Sequence, residues 1–467
     1  MDASADLIAE LTKRLKDLAK DVRALKAKVR RQDKRIDELV AENTALREQL
    51  EQARRQAARQ AAPFRRRDKK KTSDDQKKPP GRKDGHKGHC RKVPDHIDEQ
   101  VEVPLDGCPK CGGQVDNVHR IEQFIEEIPP VRPRVVRLVT YEADCRRCGV
   151  VHSSHPLQTS RGRGAAKVQL GPRALAIAVA LNKHLGLTMR KTCRVLKQVF
   201  SLRLTPGGLS QASDRVADRL ADEYEQLVQD IRGSPAVNAD ETSWWVGGPG
   251  YWLWVFTTPN ETLYRVDSSR SSAVVREVLG EDYAGVLSSD CLASYNPGDY
   301  RKHKCIAHHL RAISQAKDMP SQVDNRYLNE WTLLFKVVIA FHKLASDGTF
   351  SAAELAEKRT RLEDWVDRLL AEPISQLGDV RVRNRLAKQR KHLLTCLYDL
   401  AAEPTNNRAE RALRPAVIAR KLSCGNKTER GRTTWQILTS IAQTCHQRGL
   451  DFLDHLTQRI SLKPVAG

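Results

Sequence analysis

A heptad repeat near the N-terminus constrains the fold of this 467-residue chain more than any other feature. Between Ile8 and Leu50, eleven of the 13 seam positions of the repeat are apolar, and the run contains neither proline nor glycine. A seam kept over so many heptads favours one long helix that buries the seam against a partner helix. β-Branched residues at one seam position, Leu at the other and a single Asn43 favour a parallel dimer in one register. We therefore predict a coiled-coil dimerisation helix over residues 1–53; the alternative is an amphipathic helix packed on its own protein.

Much of the net charge of +22 is concentrated directly after this helix. Residues 54–92 hold 16 Lys and Arg against 4 Asp and Glu, and they contain few apolar side chains. Such a segment cannot offset its ordering entropy by burial, so we expect residues 54–95 to be a flexible basic linker. Basic runs bind DNA by releasing counterions from its phosphates; the alternative role is a solubilising tether. The candidate DNA-binding residues here are Arg65, Arg66, Arg67, Lys69, Lys70 and Lys71.

Two CxxC motifs, each followed by glycine, predict a zinc site. Their cysteines are Cys108 and Cys111 in the first motif and Cys145 and Cys148 in the second. The glycines allow the left-handed backbone of a metal knuckle, and four thiolates suit tetrahedral Zn²⁺. Between the motifs, β-branched residues alternate over Glu122–Tyr141, which predicts a hairpin. We therefore predict a zinc ribbon over residues 96–160, with a redox dithiol as the alternative.

A helical segment is predicted over residues 165–232. Apolar spacing favours helices at Ala174–Leu181, Thr188–Val199 and Leu209–Leu227, with a break at Pro206. Short helices separated by a glycine-containing turn are typical of a helix-turn-helix that binds DNA. A plain helical bundle explains the same pattern equally well.

The chain shows no sign of a membrane or secreted protein. Its longest fully apolar run, Ala174–Leu181, is far shorter than the ~20 residues that span a bilayer. The acidic, polar N-terminus does not resemble a secretory signal. We therefore expect a cytoplasmic, nucleoid-associated protein with reduced thiols and no membrane partner.

From Ser234 onward the pattern changes to strands. Strands are predicted at Ala236–Val246, Tyr251–Thr258 and Thr262–Val266, then a helix at Ser271–Leu279 and a short strand at Gly285–Ser289. This order of three antiparallel strands, a helix and a further strand matches a ribonuclease-H-like fold.

Two acidic residues stand out in that framework. Asp240 lies in the first strand and Asp290 closes the fourth, so both should meet at one edge of the sheet. Neighbouring carboxylates repel each other unless divalent cations lie between them. A third acid from a later helix would complete a two-metal site, and the residues alone leave Glu403, Glu410 and Glu429 as candidates.

Several motifs together resemble the transposases of the insertion sequence sixty-six family, in its large C-type open reading frame. They are Asp240-Glu241-Thr242, Ser289-Asp290 with Tyr295, Cys305-x-x-His308, and the block from Asn406-Asn407 through Glu410-Arg411 to Arg414-Pro415. The order of zipper-like helix, basic linker, zinc ribbon, helical segment and catalytic domain also matches, over nearly the whole chain.

The resemblance implies a DDE transposase with a catalytic triad of Asp240, Asp290 and Glu410. The triad would bind Mg²⁺ or Mn²⁺, with Zn²⁺ in the ribbon. Arg411 and Arg414, followed by Arg420 and Lys421, are candidate contacts to DNA phosphates. Glu410 is expected in a short helix that Pro415 ends or kinks. For the Cys305 and His308 pair, packing or substrate positioning is the expected role.

The predicted fold class is a multidomain α+β protein in which a helical insertion splits a ribonuclease-H-like domain. The later boundaries are 234–310 for the first part of the catalytic core, 311–402 for the helical insertion, 403–448 for the last part with the third acid, and 449–467 for a C-terminal tail.

The function expected from this organisation is metal-dependent cleavage and strand transfer at the ends of an insertion sequence. The expected partners are double-stranded DNA, a second copy in a dimer or larger synaptic complex, and small accessory proteins of the element. Two alternatives stay open: a non-catalytic, zinc-containing DNA-binding regulator or decayed transposase, and a related nuclease that lacks strand transfer.

Overall fold

The computed structural model describes residues 91–160 and 168–461, together with Arg14, 20–23, 25–39, Glu42 and Gly85. The chain divides into two units, 1–98 and 99–467. The predicted linker residues Arg65, Arg66, Arg67, Lys69, Lys70 and Lys71 lie outside the described residues.

In the N-terminal unit, residues 20–23 and 25–39 are helical and form α1. Seam side chains of the heptad repeat are exposed on this helix. They are Val22, Leu25, Val29, Ile36 and Leu39. The two ends of the predicted coiled coil, including Ile8 and Asn43, fall outside the described residues. The described part of α1 thus presents an apolar stripe to solvent.

The cysteine-containing segment holds a two-stranded hairpin of β1 (Glu142–Cys145) and β2 (Gly149–His152). The prediction of a hairpin within Glu122–Tyr141 is wrong, because residues 91–141 contain no strand. Pro129, Pro130 and Pro133 lie in this segment, and proline lacks the amide hydrogen that strand pairing requires. The hairpin forms instead around the second CxxC motif.

A five-stranded mixed sheet lies at the centre of the C-terminal unit. Its strands are β3 (Ala236–Trp244), β4 (Tyr251–Thr257), β5 (Thr262–Asp267), β6 (Val286–Ser289) and β7 (Arg301–Lys304), in the order β5-β4-β3-β6-β7. β3, β4 and β5 pair antiparallel, whereas β6 is parallel to β3 and β7 is parallel to β6. The four strands predicted from the sequence are confirmed. β7 was not predicted, because its sequence Arg-Lys-His-Lys has no apolar residue, although three of the four side chains are buried.

Helices surround this sheet and make the unit a mixture of α and β structure. They are α2 (Pro172–Val179), α3 (Met189–Phe200), α4 (Pro206–Arg219), α5 (Ala221–Arg232), α6 (Ser272–Leu279), α7 (Ile306–Lys317), α8 (Arg326–Ser346), α9 (Ala352–Ala371), α10 (Leu377–Lys388), α11 (Thr395–Tyr398), α12 (Asn407–Ser423), α13 (Glu429–Gln447) and α14 (Phe452–Ile460). No helix in the described ranges is long and apolar enough to cross a membrane.

The two faces of the sheet are covered by different helices, because side chains alternate along a strand. Val237 and Ala239 of β3 and Trp254 of β4 join a core shared with α2, α4, α5, α6 and α14. Trp244 and Leu253 pack with α12 on the opposite face. Helices α7 to α11, between β7 and α12, have a large core of their own around residues such as Trp331.

The outer edge of β5 is closed by polar side chains of α13. Thr444 Oγ1, Ser440 Oγ and Gln436 Oε1 accept the backbone N–H groups of Thr262, Tyr264 and Val266 at 3.1, 2.9 and 3.2 Å. The three acceptors recur every fourth residue, so they lie on one face of the helix. This arrangement satisfies edge amides that an open sheet would expose.

Three predicted boundaries differ from the structure. The helix expected over Leu209–Leu227 is two helices, α4 and α5, and Pro206 begins α4 because the first turn tolerates its missing N–H. The helix that carries Glu410 is 17 residues long and continues through Pro415. The segment 449–467, predicted to be a tail, contains α14, which buries Phe452 in the core.

Candidate active site

Asp240 and Asp290 lie at the same level on two neighbouring strands. β3 and β6 run parallel with Asn238 opposite Ser288. Asp240 is two residues beyond the first and Asp290 is two beyond the second, just past the end of β6. Adjacent strands are about 4.8 Å apart, so the register brings the two carboxylates together.

The electrostatic environment of Asp240 reflects this crowding of acids. Burial and the negative charge of Glu241, followed by those of Asp290 and Glu410, raise the pKa of Asp240 to about 7. The Glu241 N–H donates to Asp240 Oδ1 at 2.9 Å and opposes part of this shift. Asp240, Asp290 and Glu410 therefore belong to one electrostatic neighbourhood.

Asn406, the residue just before α12, ties that helix to the strand of Asp240. Its Nδ2 donates to the carbonyl oxygen of Ala239 at 2.8 Å, and its Oδ1 accepts from Asn238 Nδ2 at 3.1 Å. Its backbone N–H donates to Cys305 Sγ at 3.0 Å. Because Glu410 follows one turn later in α12, this buried asparagine determines where the third acid enters the site.

Two basic side chains of α7 contact the carboxylate of Glu410. Arg311 Nη2 lies 3.1 Å and His308 Nε2 lies 3.8 Å from Glu410 Oε1. The two residues of the predicted Cys305 and His308 pair therefore have different contacts. Cys305 is a buried acceptor for the start of α12, while His308 faces the candidate third acid.

The other two candidates for the third acid are held elsewhere. Glu403 is paired with Arg408, and Glu429 is paired with Arg432 and accepts a hydrogen bond from the Tyr251 hydroxyl. The negative charge of Glu410, in contrast, helps to raise the pKa of Asp240.

Glu241 was not recognised from the sequence as an important residue of the site. Its carboxylate lies on the face of β3 opposite to Asp240, where it is almost fully buried. Tyr295 Oη donates to Oε2 at 2.6 Å, and Arg270 Nη2 donates to Oε1 at 2.7 Å. Tyr295 lies in the loop that follows Asp290, so Glu241 fastens this loop to β3.

Lys304 of β7 supports the backbone at Asp290. Its Nζ donates to Ser289 Oγ at 3.1 Å and to the Asp290 carbonyl oxygen at 3.0 Å. Burial lowers the pKa of this lysine to about 8, against the opposing effect of Cys291 and Asp290. The contact could not be anticipated, because β7 itself was not predicted.

The predicted DNA contacts on α12 divide into two groups. Arg411, Arg414 and Lys421 are exposed. Arg420 is half-buried, and its Nη1 donates to Thr242 Oγ1 at 3.0 Å and to Ser243 Oγ at 2.9 Å. The guanidinium of Arg420 therefore holds α12 against β3.

Each CxxC motif forms a knuckle that stabilises a thiolate. The backbone N–H groups of Lys110 and Cys111 lower the pKa of Cys108. Those of Arg147 and Cys148 lower the pKa of Cys145. Both knuckles use a glycine with positive φ, Gly112 at 73° and Gly149 at 71°, as expected from the sequence.

In the part of the chain that the structure describes, no three His, Cys, Asp or Glu side chains form a group that could hold a metal ion. Each knuckle by itself fits half of a four-thiolate zinc site. The carboxylates of Asp240, Asp290 and Glu410 are the hard oxygen donors that Mg²⁺ prefers. Burial in the first place, and then the charges of Glu241, Asp290 and Glu410, raise the pKa of Asp240, whereas Glu410 itself contacts Arg311 and His308.

An Asp240→Asn substitution should stabilise the metal-free protein above neutral pH. The pKa of this carboxyl rises from 3.8 to about 7 on folding, so the folded state binds more protons between these values. Stability is therefore lost as the pH rises from about 4 to 7, and asparagine avoids this loss. Thermal unfolding in EDTA should show that the variant is more stable than wild type. The difference in stability should be small at pH 4, increase up to pH 7 and then level off. A variant that is no more stable than wild type at pH 8 contradicts the raised pKa of Asp240 in the folded protein.

Comparison with known proteins places the chain in a family. The family described as Transposase IS66 family matches residues 167–434. Two relatives from Sinorhizobium fredii (strain NBRC 101917 / NGR234), the uncharacterized proteins y4qI and y4jD, are each 24% identical to this chain. The first match covers 83% of this chain and 75% of y4qI, and the second covers 77% of this chain and 75% of y4jD. Since the family match spans more than half of the sequence, including all five strands of the central sheet, the chain belongs to the IS66 family of transposases.

Proposed function

We propose that this chain is a DDE-type DNA transposase that cuts and joins DNA at the ends of an insertion sequence. The observation that carries the proposal is the register of β3 and β6, which puts Asp240 and Asp290 opposite each other. The tether from Asn406 to Ala239 brings the helix of Glu410 to the same strand. The strand order β5-β4-β3-β6-β7, antiparallel in its first three strands and then parallel, supports a ribonuclease-H-like catalytic domain.

Asp240, Asp290 and Glu410 are the residues that would hold Mg²⁺ or Mn²⁺. Bound there, the metal would activate a water or a 3′-hydroxyl and stabilise the leaving 3′-oxygen. Lys304 holds the backbone at Asp290 by donating to its carbonyl oxygen. Glu241 holds the loop that follows Asp290 by accepting a hydrogen bond from Tyr295. Arg411 and Arg414 are exposed on the helix of Glu410 and are suited to contact DNA phosphates near the site.

A strand-joining assay tests this proposal. Duplex DNA carrying the terminal repeats of the element is incubated with the full chain and a target plasmid, with and without the small accessory proteins. We expect joined strands in Mg²⁺ or Mn²⁺ and none in EDTA. Cleavage of the ends without joining would identify a nuclease, and binding without either reaction would identify a regulator.

We also propose that Zn²⁺ joins the two CxxC knuckles into a ribbon. Many apolar side chains between them are exposed, among them Ile125, Ile128 and Val135. Because binding of structural zinc is coupled to folding, a shared metal would bring the two knuckles together and let this segment bury that surface. Measured zinc should be about one ion per chain. It should fall on Cys108→Ser and stay unchanged on Cys424→Ser, an exposed cysteine outside the motifs. Zinc retained in Cys108→Ser contradicts the ribbon.

The exposed seam of α1 supports a role in self-association. A parallel pair of such helices would link two protomers, so that one synaptic complex holds both ends of the element.

A further inference from the structure

A long stretch of the chain contains no acidic residue at all. Residues 145–213 hold 12 Lys and Arg and neither Asp nor Glu, although 58 of the 467 residues are acidic. The stretch is therefore a second concentration of positive charge, separate from the basic linker. It includes the second cysteine knuckle, α2, α3 and the first half of α4.

Helix α3 gathers part of this charge on one face. Thr192, Cys193 and Leu196 are buried against the protein. The opposite face is formed by four exposed side chains, Arg190, Lys191, Arg194 and Lys197, which we call the α3 basic face. Because α3 contains no acidic residue, none of these cations has a partner on its own helix.

The helix next to α3 is fixed to the catalytic unit. Leu209 of α4 packs with Cys193 and Leu196 of α3. Farther along α4, Asp214 accepts a hydrogen bond from Thr434 at 2.6 Å, and Asp218 pairs with Arg430. Thr434 and Arg430 belong to α13, the helix that closes the edge of β5. The α3 basic face is thus held rigidly relative to the central sheet.

The two helices are joined as in a helix-turn-helix, but their surfaces differ. Ser201, with a φ of 54°, ends α3, and Thr205 caps α4. In such modules the first helix crosses the DNA backbone and the second enters the major groove. Here Asp214 and Asp218 of α4 bind side chains of α13, and the one exposed cation of α4, Arg215, lies between these two acids, whereas α3 has four exposed cations and no acid. Four long, flexible cations, with Gln198 as the one exposed amide on the helix, suit phosphates more than base edges.

We propose that the α3 basic face binds the phosphate backbone of duplex DNA, at a site separate from the three acids. The inference rests on the proposed function only in its choice of duplex DNA as the polyanion. Each cation that contacts a phosphate releases condensed counterions, so this binding should be independent of sequence and sensitive to salt.

The test is the salt dependence of DNA binding by Arg194→Gln/Lys197→Gln. The full chain, with its zinc retained, is titrated without Mg²⁺ or Mn²⁺ against a duplex that lacks the element ends. The plot of the logarithm of the DNA-binding constant against the logarithm of the salt concentration has a negative slope. In the variant this slope should be smaller in magnitude than in wild type by about 1.8, since each lost phosphate contact removes about 0.9. The control is Lys336→Gln/Lys343→Gln, which removes the same charge from an exposed face of α8. The free energy of unfolding of both variants should lie within about 0.5 kcal/mol of the wild-type value, because these are surface positions.

An unchanged slope in the α3 variant, or an equal fall in the α8 control, overturns the proposal. A fall that appears with duplex RNA but not with duplex DNA also overturns it. Because the titration needs neither Mg²⁺ or Mn²⁺ nor chemistry, its outcome is separate from that of the joining assay. If the α3 variant shows the smaller salt dependence but the wild-type protein joins no strands, the α3 basic face is supported as a DNA-binding surface and only the catalytic assignment fails.

Discussion

Replacing Asp290 by asparagine should leave DNA binding intact and reduce strand joining by about three orders of magnitude or more. Asparagine has nearly the same shape as aspartate but lacks the charge that holds a divalent cation. Asp290 stands opposite Asp240 at the end of β6, where the sheet register brings the two acids together. In the proposed mechanism, loss of one of the carboxylates that would hold the metal would remove much of the electrostatic stabilisation of the attacking and leaving oxygens.

The measurement is the joining assay in Mg²⁺, with binding to the same duplex followed in parallel. Asp299→Asn is a matched control, because Asp299 is exposed in the segment between β6 and β7 and loses the same charge. It should join strands at the wild-type rate. An Asp290→Asn protein with full joining activity would falsify the assignment of the triad.

An Asn406→Ala substitution should destabilise the protein by about 2–4 kcal/mol, the cost of leaving buried polar groups unpaired. The side chain is fully buried and bridges Asn238 Nδ2 and the carbonyl oxygen of Ala239. Alanine removes the donor to the Ala239 carbonyl oxygen and leaves Asn238 Nδ2 only its long bond to the Thr405 carbonyl oxygen at 3.5 Å. It also releases the start of α12 from the strand that carries Asp240.

The neighbouring asparagine provides the control. Asn407 is exposed, and Asn407→Ala should change stability by no more than about 0.5 kcal/mol. Chemical denaturation of both variants measures the difference. Asn406→Ala should also join strands poorly below its unfolding transition, because Glu410 is no longer held against β3. Equal stability of the two variants would contradict the proposed tether.

The fold was predictable where the sequence pattern reflects local structure. Aromatic and β-branched residues in Tyr251–Thr258 predicted β4, and apolar spacing predicted helices at Ala174–Leu181 and Thr188–Val199, where α2 and α3 lie. β7 was missed because its buried side chains are Lys302, His303 and Lys304, which no hydrophobicity pattern identifies. Tertiary hydrogen bonds, such as those of Lys304 to Ser289 and Asp290, make their burial possible.

The candidate site was predictable in part, for a related reason. Asp240 and Asp290 could be paired from strand order, because parallel strands place equivalent positions side by side. The choice among Glu403, Glu410 and Glu429 came only from the family resemblance. All three acids are ion-paired, Glu403 with Arg408, Glu429 with Arg432 and Glu410 with Arg311, but among them Glu410 is the one whose charge raises the pKa of Asp240. Arg420 stays a predicted DNA contact, while its hydrogen bonds to Thr242 and Ser243, which join α12 to β3, could not be foreseen from the sequence.

Periodicity and composition are local properties, so they were enough to locate the strands β3 to β6, the two aspartates and the concentration of basic charge. Packing of the folded chain selects which acid approaches Asp240 and which neighbours hold the candidate site in place. Asn406 and Glu241 act through partners far away in sequence, such as Ala239 and Tyr295. Their roles depend on contacts that form when the chain packs, and no local pattern encodes those contacts.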